Sequence, residues 1–132
     1  MKKVYYAHHM WKYYTKIEDY KVSLIKKCLG IKTNVFNPSV DLPQNRPYSE
    51  IMPMCFDVIK QCDGLVFSSV NGVVGKGVVS EVELAKSLKL PIYYIFNNEV
   101  TECNPIFELT NDCNFLYATV KLEKLKTNTP EL

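Results

Sequence analysis

Short apolar runs alternate with longer amphipathic stretches along this chain, and their periods differ. Val4-Tyr5-Tyr6-Ala7 is apolar on both faces, the pattern of a short buried parallel strand. Residues 8 to 14 form an aromatic-rich loop. Thr15-Lys-Ile-Glu18 has the spacing of a capping box, in which hydroxyl and carboxylate satisfy free backbone donors. The helix that follows is expected to carry Ile17, Leu24, Ile25 and Cys28 on one face with lysines opposite, and Gly30 to end it. Asn34 to Asn37 reads as a second strand. Pro38, Pro43 and Pro47 make residues 38 to 49 an extended loop. Pro53 suits the first turn of a helix running to about Gln61, with Cys55, Val58, Ile59 and Cys62 on its apolar stripe. Gly64 to Ser68 is a third strand, residues 69 to 77 a Gly-rich loop, and a helix then runs to about Leu88. Pro91 to Phe96 is a fourth strand and Phe115 to Tyr117 a short fifth. The tail, about 119–132, is polar, and its last dozen residues are expected to fray.

Alternating strands and helices imply a parallel sheet with helices on both faces. The expectation is an α/β, flavodoxin/Rossmann-like three-layer domain with about five strands, one domain over residues 1–132. Ligands of such folds bind outside the carboxyl ends of the strands. Here those ends are the His8 loop, the Asn37 loop, the stretch from Ser68 to Gly77, and the Asn97 region.

Composition narrows the class of partner. Sixteen basic and fourteen acidic residues leave a net charge of +2, with no patch that marks a nucleic-acid binder. No apolar run approaches ~18 residues, so no membrane span is expected. The Met-Lys-Lys start is unlike a secretion signal. The five cysteines include no CxxC, and they read as free thiols in a reducing, cytoplasmic compartment. Cys28, Cys55 and Cys62 are expected to be buried. The adjacent His8 and His9 have no third ligand in view, so no metal is expected.

The segment from Gly75 to Ala85 is the most informative for chemistry. Gly75, Lys76 and Gly77 precede a helix, and such a turn lets backbone donors approach an anion. The spacing is not that of a nucleoside-triphosphate loop. Glu81 shares a helical face with Leu84, Ala85 and Leu88, which places a carboxylate among core residues. Two readings of it stand open, a reactive group or a first-turn carboxylate that complements the helix dipole. Glu83 lies roughly 200° around the helix and completes a capping pattern with Ser80. Asp57 sits beside the stripe of the preceding helix, and Asp63 just precedes the third strand. Tyr5 and Tyr6 must point to opposite sheet faces. His8 or His9 could bind a phosphate or donate a proton.

Together, the Tyr-Tyr-Ala strand, the run Asp57-Val-Ile-x-x-Cys-Asp63-Gly-Leu-Val-Phe, and Gly77-x-x-x-Glu81-x-x-x-Ala85 before Pro91-Ile resemble the nucleoside 2-deoxyribosyltransferase family. They are similar also to its hydrolase branch, the 5-hydroxymethyl-deoxyuridine-monophosphate N-hydrolases and cytidylate N-glycosidases. The resemblance covers about residues 3 to 96. It implies Glu81 as nucleophile, Asp57 as a residue that orients the sugar or moves a proton, and Tyr5 as the group that holds Glu81. It further implies a nucleoside or nucleotide substrate, no cofactor, and a homodimer or larger assembly with shared sites. His8, Gly75, Lys76, Gly77 and Ser80 would face the sugar's 5′ side. Where the hydrolase branch has Ser-x-Gly-x-Gly, this chain reads Gly75, Gly77 and Val79. Two other readings are a non-catalytic nucleotide-binding or sensing domain, for an ADP-ribose-type ligand, and an oligomeric scaffold with a vestigial pocket. Met10, Trp11, Tyr13 and Tyr14 are expected to form either a contact surface or a lid over the chain's own pocket.

Overall fold

A computed structural model describes residues 1–9, 15–110 and 117–123. Strand β1 (Lys3–Ala7) is followed by helix α1 (Lys16–Leu29), strand β2 (Asn34–Phe36) and a short helix α2 (Pro38–Asp41). Then come helix α3 (Tyr48–Ile59), strands β3 (Gly64–Ser68) and β4 (Val73–Gly75), helix α4 (Lys76–Ser87) and strand β5 (Ile92–Phe96). Strands β6 (Glu99–Glu102), β7 (Asn104–Thr110) and β8 (Tyr117–Glu123) complete the order.

The main sheet runs β2-β1-β3-β5-β6. Its first four strands are parallel, and β6 returns antiparallel to β5. Strand order reverses around β1, the doubly wound arrangement in which the crevice at the β1/β3 switch point takes ligands. The fold is therefore the expected Rossmann-like α/β architecture, with a five-stranded, mostly parallel sheet flanked by helices. Alternation along β1 splits the core. Tyr5 and Ala7 join Cys55, Leu65, Phe67, Val82 and Tyr94 on the α3/α4 side, whereas Val4 and Tyr6 join Leu24, Ile25 and Val66 on the α1 side. Both tyrosines are fully buried.

Several expectations change. The fifth strand of the sheet is β6, joined to β5 across Asn97 and Asn98, whose φ angles of 49° and 61° suit a tight hairpin. The Gly-rich stretch contains a second such hairpin, with φ of 52° at Asn71 and 77° at Gly72 and paired backbone bonds between Val70 and Val73. Asn-Gly between apolar residues is the standard signal for it. Strands β4, β8 and β7 form a separate antiparallel sheet, so the polar tail carries a strand as far as Glu123, into the stretch expected to fray. The loop at 38 to 49 opens with α2, whose amide at Ser39 is capped by the Asn37 side chain. Helix α3 begins at Tyr48, not Pro53. Pro47 supplies the carbonyl for its first bonds, and exposed Pro53 sits inside the helix.

Candidate functional site

Helices α3 and α4 pack against each other and over β1, and the best candidate site lies between them. On α3, Tyr48, Met52, Cys55 and Ile59 recur at i, i+4, i+7 and i+11, so they share one face. That face grades from the half-exposed Tyr48 to the buried Cys55 and Ile59. On α4, the buried residues are Val78, Glu81, Val82 and Ala85. Leu88, expected on that face, is largely exposed. The two stripes meet near Gly77. A Cβ there would lie 3.1 Å from the Tyr48 hydroxyl and 3.8 Å from Met52 Sδ, so the absent side chain leaves room for the tyrosine.

Glu81 is the sixth residue of α4, and the first turn holds no acidic residue. The helix-dipole reading of Glu81 therefore falls away. Its side chain is 6% exposed. Burial pushes its carboxyl up to about 8, and the adjacent Tyr5 hydroxyl offsets only part of that rise. Tyr5 comes from β1 beneath it. Among the described residues, the Tyr5 hydroxyl is the buried side-chain polar atom without a hydrogen-bond partner. It is close enough to Glu81 and Cys55 to couple to both, yet it falls short of hydrogen-bond geometry with either. Burial first, then the charge of Glu81, drives the Tyr5 hydroxyl far above the usual phenol range. Cys55 is pushed up to about 11 by burial and then by Glu81. Tyr48 is raised by the same two influences.

The structure thus brings together two of the three expected catalytic residues, Tyr5 and Glu81. It does not bring Asp57 to them. Asp57 is exposed and lies two residues beyond Cys55, roughly 200° around the helix. Cys55 takes the inward position. Its place on the apolar stripe was legible, but the stripe alone said nothing of which α4 residue it would meet. Asp63 accepts from the backbone amides of Lys2 and Lys3 at 3.2 and 2.9 Å, at the amino end of the sheet.

The residues expected near an anion divide likewise. Gly75 is the N-cap of α4, and Lys76 and Gly77 are its first two residues. A Cβ on Gly75 would meet the His9 ring at 2.9 Å, so His9 stands at this turn. Ser80 lies inside the helix, not at its start, and its hydroxyl donates to the Lys76 carbonyl at 3.1 Å. It makes no cap with Glu83, which instead pairs with Lys86 at 3.8 Å.

His8 is buried elsewhere. Its Nε2 lies 2.6 Å from Glu18 Oε2 and its Nδ1 3.1 Å from the Tyr6 carbonyl. A carbonyl only accepts, so Nδ1 donates to Tyr6, and Nε2 pairs the ring with the Glu18 carboxyl. It stacks on Tyr6 with centroids 4.0 Å apart. The Ser39 hydroxyl donates to Glu18 Oε1 at 2.7 Å. Burial alone would raise Glu18, but hydrogen bonds from His8, Ser39 and Asn37 outweigh it and hold the carboxyl below its ordinary range. Half of the capping box survives, with the Glu18 amide donating to Thr15 Oγ1 at 3.2 Å. Turning Glu18 inward rotates α1, so Ile17 and Cys28 are exposed. Cys55 and Cys62 are buried as expected, and the four described cysteines are free. Met10, Trp11, Tyr13, Tyr14 and Cys113 lie outside the described residues.

A cavity of about 550 Å³ lined by Lys86, Lys89, Ile92, Glu102 and Cys103 lies at the opposite end of α4, away from Glu81. Among the described residues, no helix is long and apolar enough to cross a membrane.

Fold and site together define a doubly wound α/β protein with a buried carboxyl between two packed helices. Residues 21–94 match the family model described as "Domain of unknown function (DUF4406)", over half of the chain, and the protein belongs to that family. One similar solved structure is a conserved protein from Enterococcus faecalis V583, at 18% identity and a TM-score of 0.55. The likeness covers 73% of this chain and 64% of that one, so this chain spans less than two thirds of that protein, and the shared feature is the fold. No curated protein matches the sequence.

Proposed function

We infer that this protein cleaves or transfers at the N-glycosidic bond of a (deoxy)nucleoside or nucleoside 5′-monophosphate through a covalent glycosyl-enzyme on Glu81. The observation that carries this reading is the buried Glu81 carboxyl set over the unpartnered Tyr5 hydroxyl. An orphaned buried hydroxyl costs about 1–3 kcal/mol, which a ligand hydroxyl or the ionised Glu81 would relieve. In this mechanism the Glu81 carboxylate attacks the anomeric carbon and the base departs. Water or a second base then displaces Glu81, as in retaining glycosidases. Tyr5 orients Glu81. The 5′ side of the sugar faces the Gly75 to Gly77 turn, where exposed Lys76 and His9 take the role first considered for His8. A homodimer or larger assembly completes the site in this reading, and loss of activity on dilution to monomer would support it.

A second reading, nucleotide binding without turnover, draws on Asp57, which stands apart from Glu81. One experiment separates the two. The pure protein is incubated with nucleosides and 5′-monophosphates, with and without an acceptor base, and free base is followed by chromatography. Base release that disappears in Glu81→Gln supports the enzyme. Saturable binding without release supports the sensor.

A further inference from the structure

Glu81 is a lone carboxyl among neutral groups. Among the described residues, the side chain that acts on it is Tyr5, while Cys55 and Tyr48 in turn feel its charge. The α3 position that faces it holds a thiol. Asp57 points elsewhere, and Asp63 is held by the amides of Lys2 and Lys3.

That arrangement constrains the leaving group. A neutral N-glycoside needs a proton on its departing base, and a positioned acid of suitable strength normally supplies it. The described O–H and S–H donors around Glu81 are the phenols of Tyr5 and Tyr48 and the thiol of Cys55, which are weak acids beside a carboxyl, and no second described carboxyl faces it. A glycosidic nitrogen that already bears positive charge needs no proton. Its charge would also stabilise the buried carboxylate it faces. The half-exposed ring of Tyr48, whose hydroxyl lies against Gly77, adds an aromatic face suited to a cation.

We propose that the substrate is a cationic N-glycoside, an N-glycosylpyridinium nucleoside or nucleotide; this rests on the N-glycosidic reading above. A Glu81 oxygen bonds to the anomeric carbon as the C–N bond breaks. The electron pair of that bond neutralises the ring nitrogen, and an uncharged pyridine leaves. Water then attacks the same carbon, the bond to Glu81 breaks, the carboxylate is regained, and one proton passes to solvent.

The test compares nicotinamide riboside and nicotinamide mononucleotide with adenosine, 2′-deoxyuridine and their 5′-monophosphates. The expected kcat/KM for the pyridinium substrates is at least about 100-fold higher, and Glu81→Gln abolishes it. Equal or faster release from the neutral substrates would overturn this proposal and leave the N-glycosidic reading standing. Release from neither set would overturn both. Cys55→Asp places a second carboxyl beside Glu81. In a folded variant the pyridinium preference should narrow by about tenfold or more, and an unchanged preference counts against the proposal. If that variant does not fold, the wild-type ratio decides.

Discussion

Two glutamates are buried among the described residues, and they are held in opposite states. Glu18, 1% exposed, receives His8 and Ser39 at 2.6 and 2.7 Å and is held ionised. Glu81, 6% exposed, has an apolar cage and a tyrosine that stops short of bonding it, and it is held as an acid near neutrality. Both side chains are hidden from solvent, but Glu18 has bonding partners that outweigh its burial and Glu81 does not. A fully bonded carboxylate fastens β1, α1 and α2 together. A poorly bonded one is left easier to protonate, the environment in which reactive carboxyls are often found.

The comparison can be broken most sharply at Glu81. If it is the nucleophile, Glu81→Gln should lower kcat/KM on the order of 10⁴-fold while the protein keeps its circular dichroism spectrum and melts no earlier. Removing the carboxylate at Glu18 should do the reverse. Glu18→Ala removes the carboxylate that buried His8 and Ser39 both bond, and chemical denaturation is expected to show a loss of about 3 kcal/mol. Equal stability losses at the two sites would dissolve the distinction.

The pH dependence sharpens it further. Glu81 is raised from 4.5 to about 8, so the folded state binds the extra proton in that window. Its contribution is full below about 4.5 and lost as pH rises to about 8, by at most about 1.4 kcal/mol per pH unit. Glu18 is lowered, so its contribution is present above its ordinary value and lost as pH falls through its folded one. Denaturation from about pH 3 to about pH 9 should show Glu81→Gln flattening the decline between about pH 4.5 and about pH 8, and Glu18→Gln flattening the acid limb. With Glu81 as nucleophile, kcat/KM should rise towards pH 8 in the wild type. The smallest effect belongs to Tyr5→Phe. Removing an unpartnered buried hydroxyl should stabilise the fold by about 1 kcal/mol, with activity falling. A destabilised Tyr5→Phe would mean that the hydroxyl has a partner after all.

Much of this architecture was legible in local patterns. The apolar runs at Val4 to Ala7, Gly64 to Ser68 and Pro91 to Phe96 are strands β1, β3 and β5 because only a strand covered on both faces tolerates them. Tyr5 and Tyr6 had to part, since neighbours on a strand face opposite ways. Glu81 could be placed on an inward helical face from its spacing to Ala85. Asn71-Gly72 announced a hairpin that the glycine content of its surroundings obscured. What no local pattern carried was the identity of the partners. Glu18 is buried because His8, ten residues before it, and Ser39, twenty-one after, arrive at one point. Cys55 rather than Asp57 meets Glu81 because the packing of α3 on α4 selects one side of the helix. Strand β8 exists because β4 and β7 flank it. Periodicity states which side of an element faces inward; what it faces depends on how distant elements dock, and only the tertiary structure decided that.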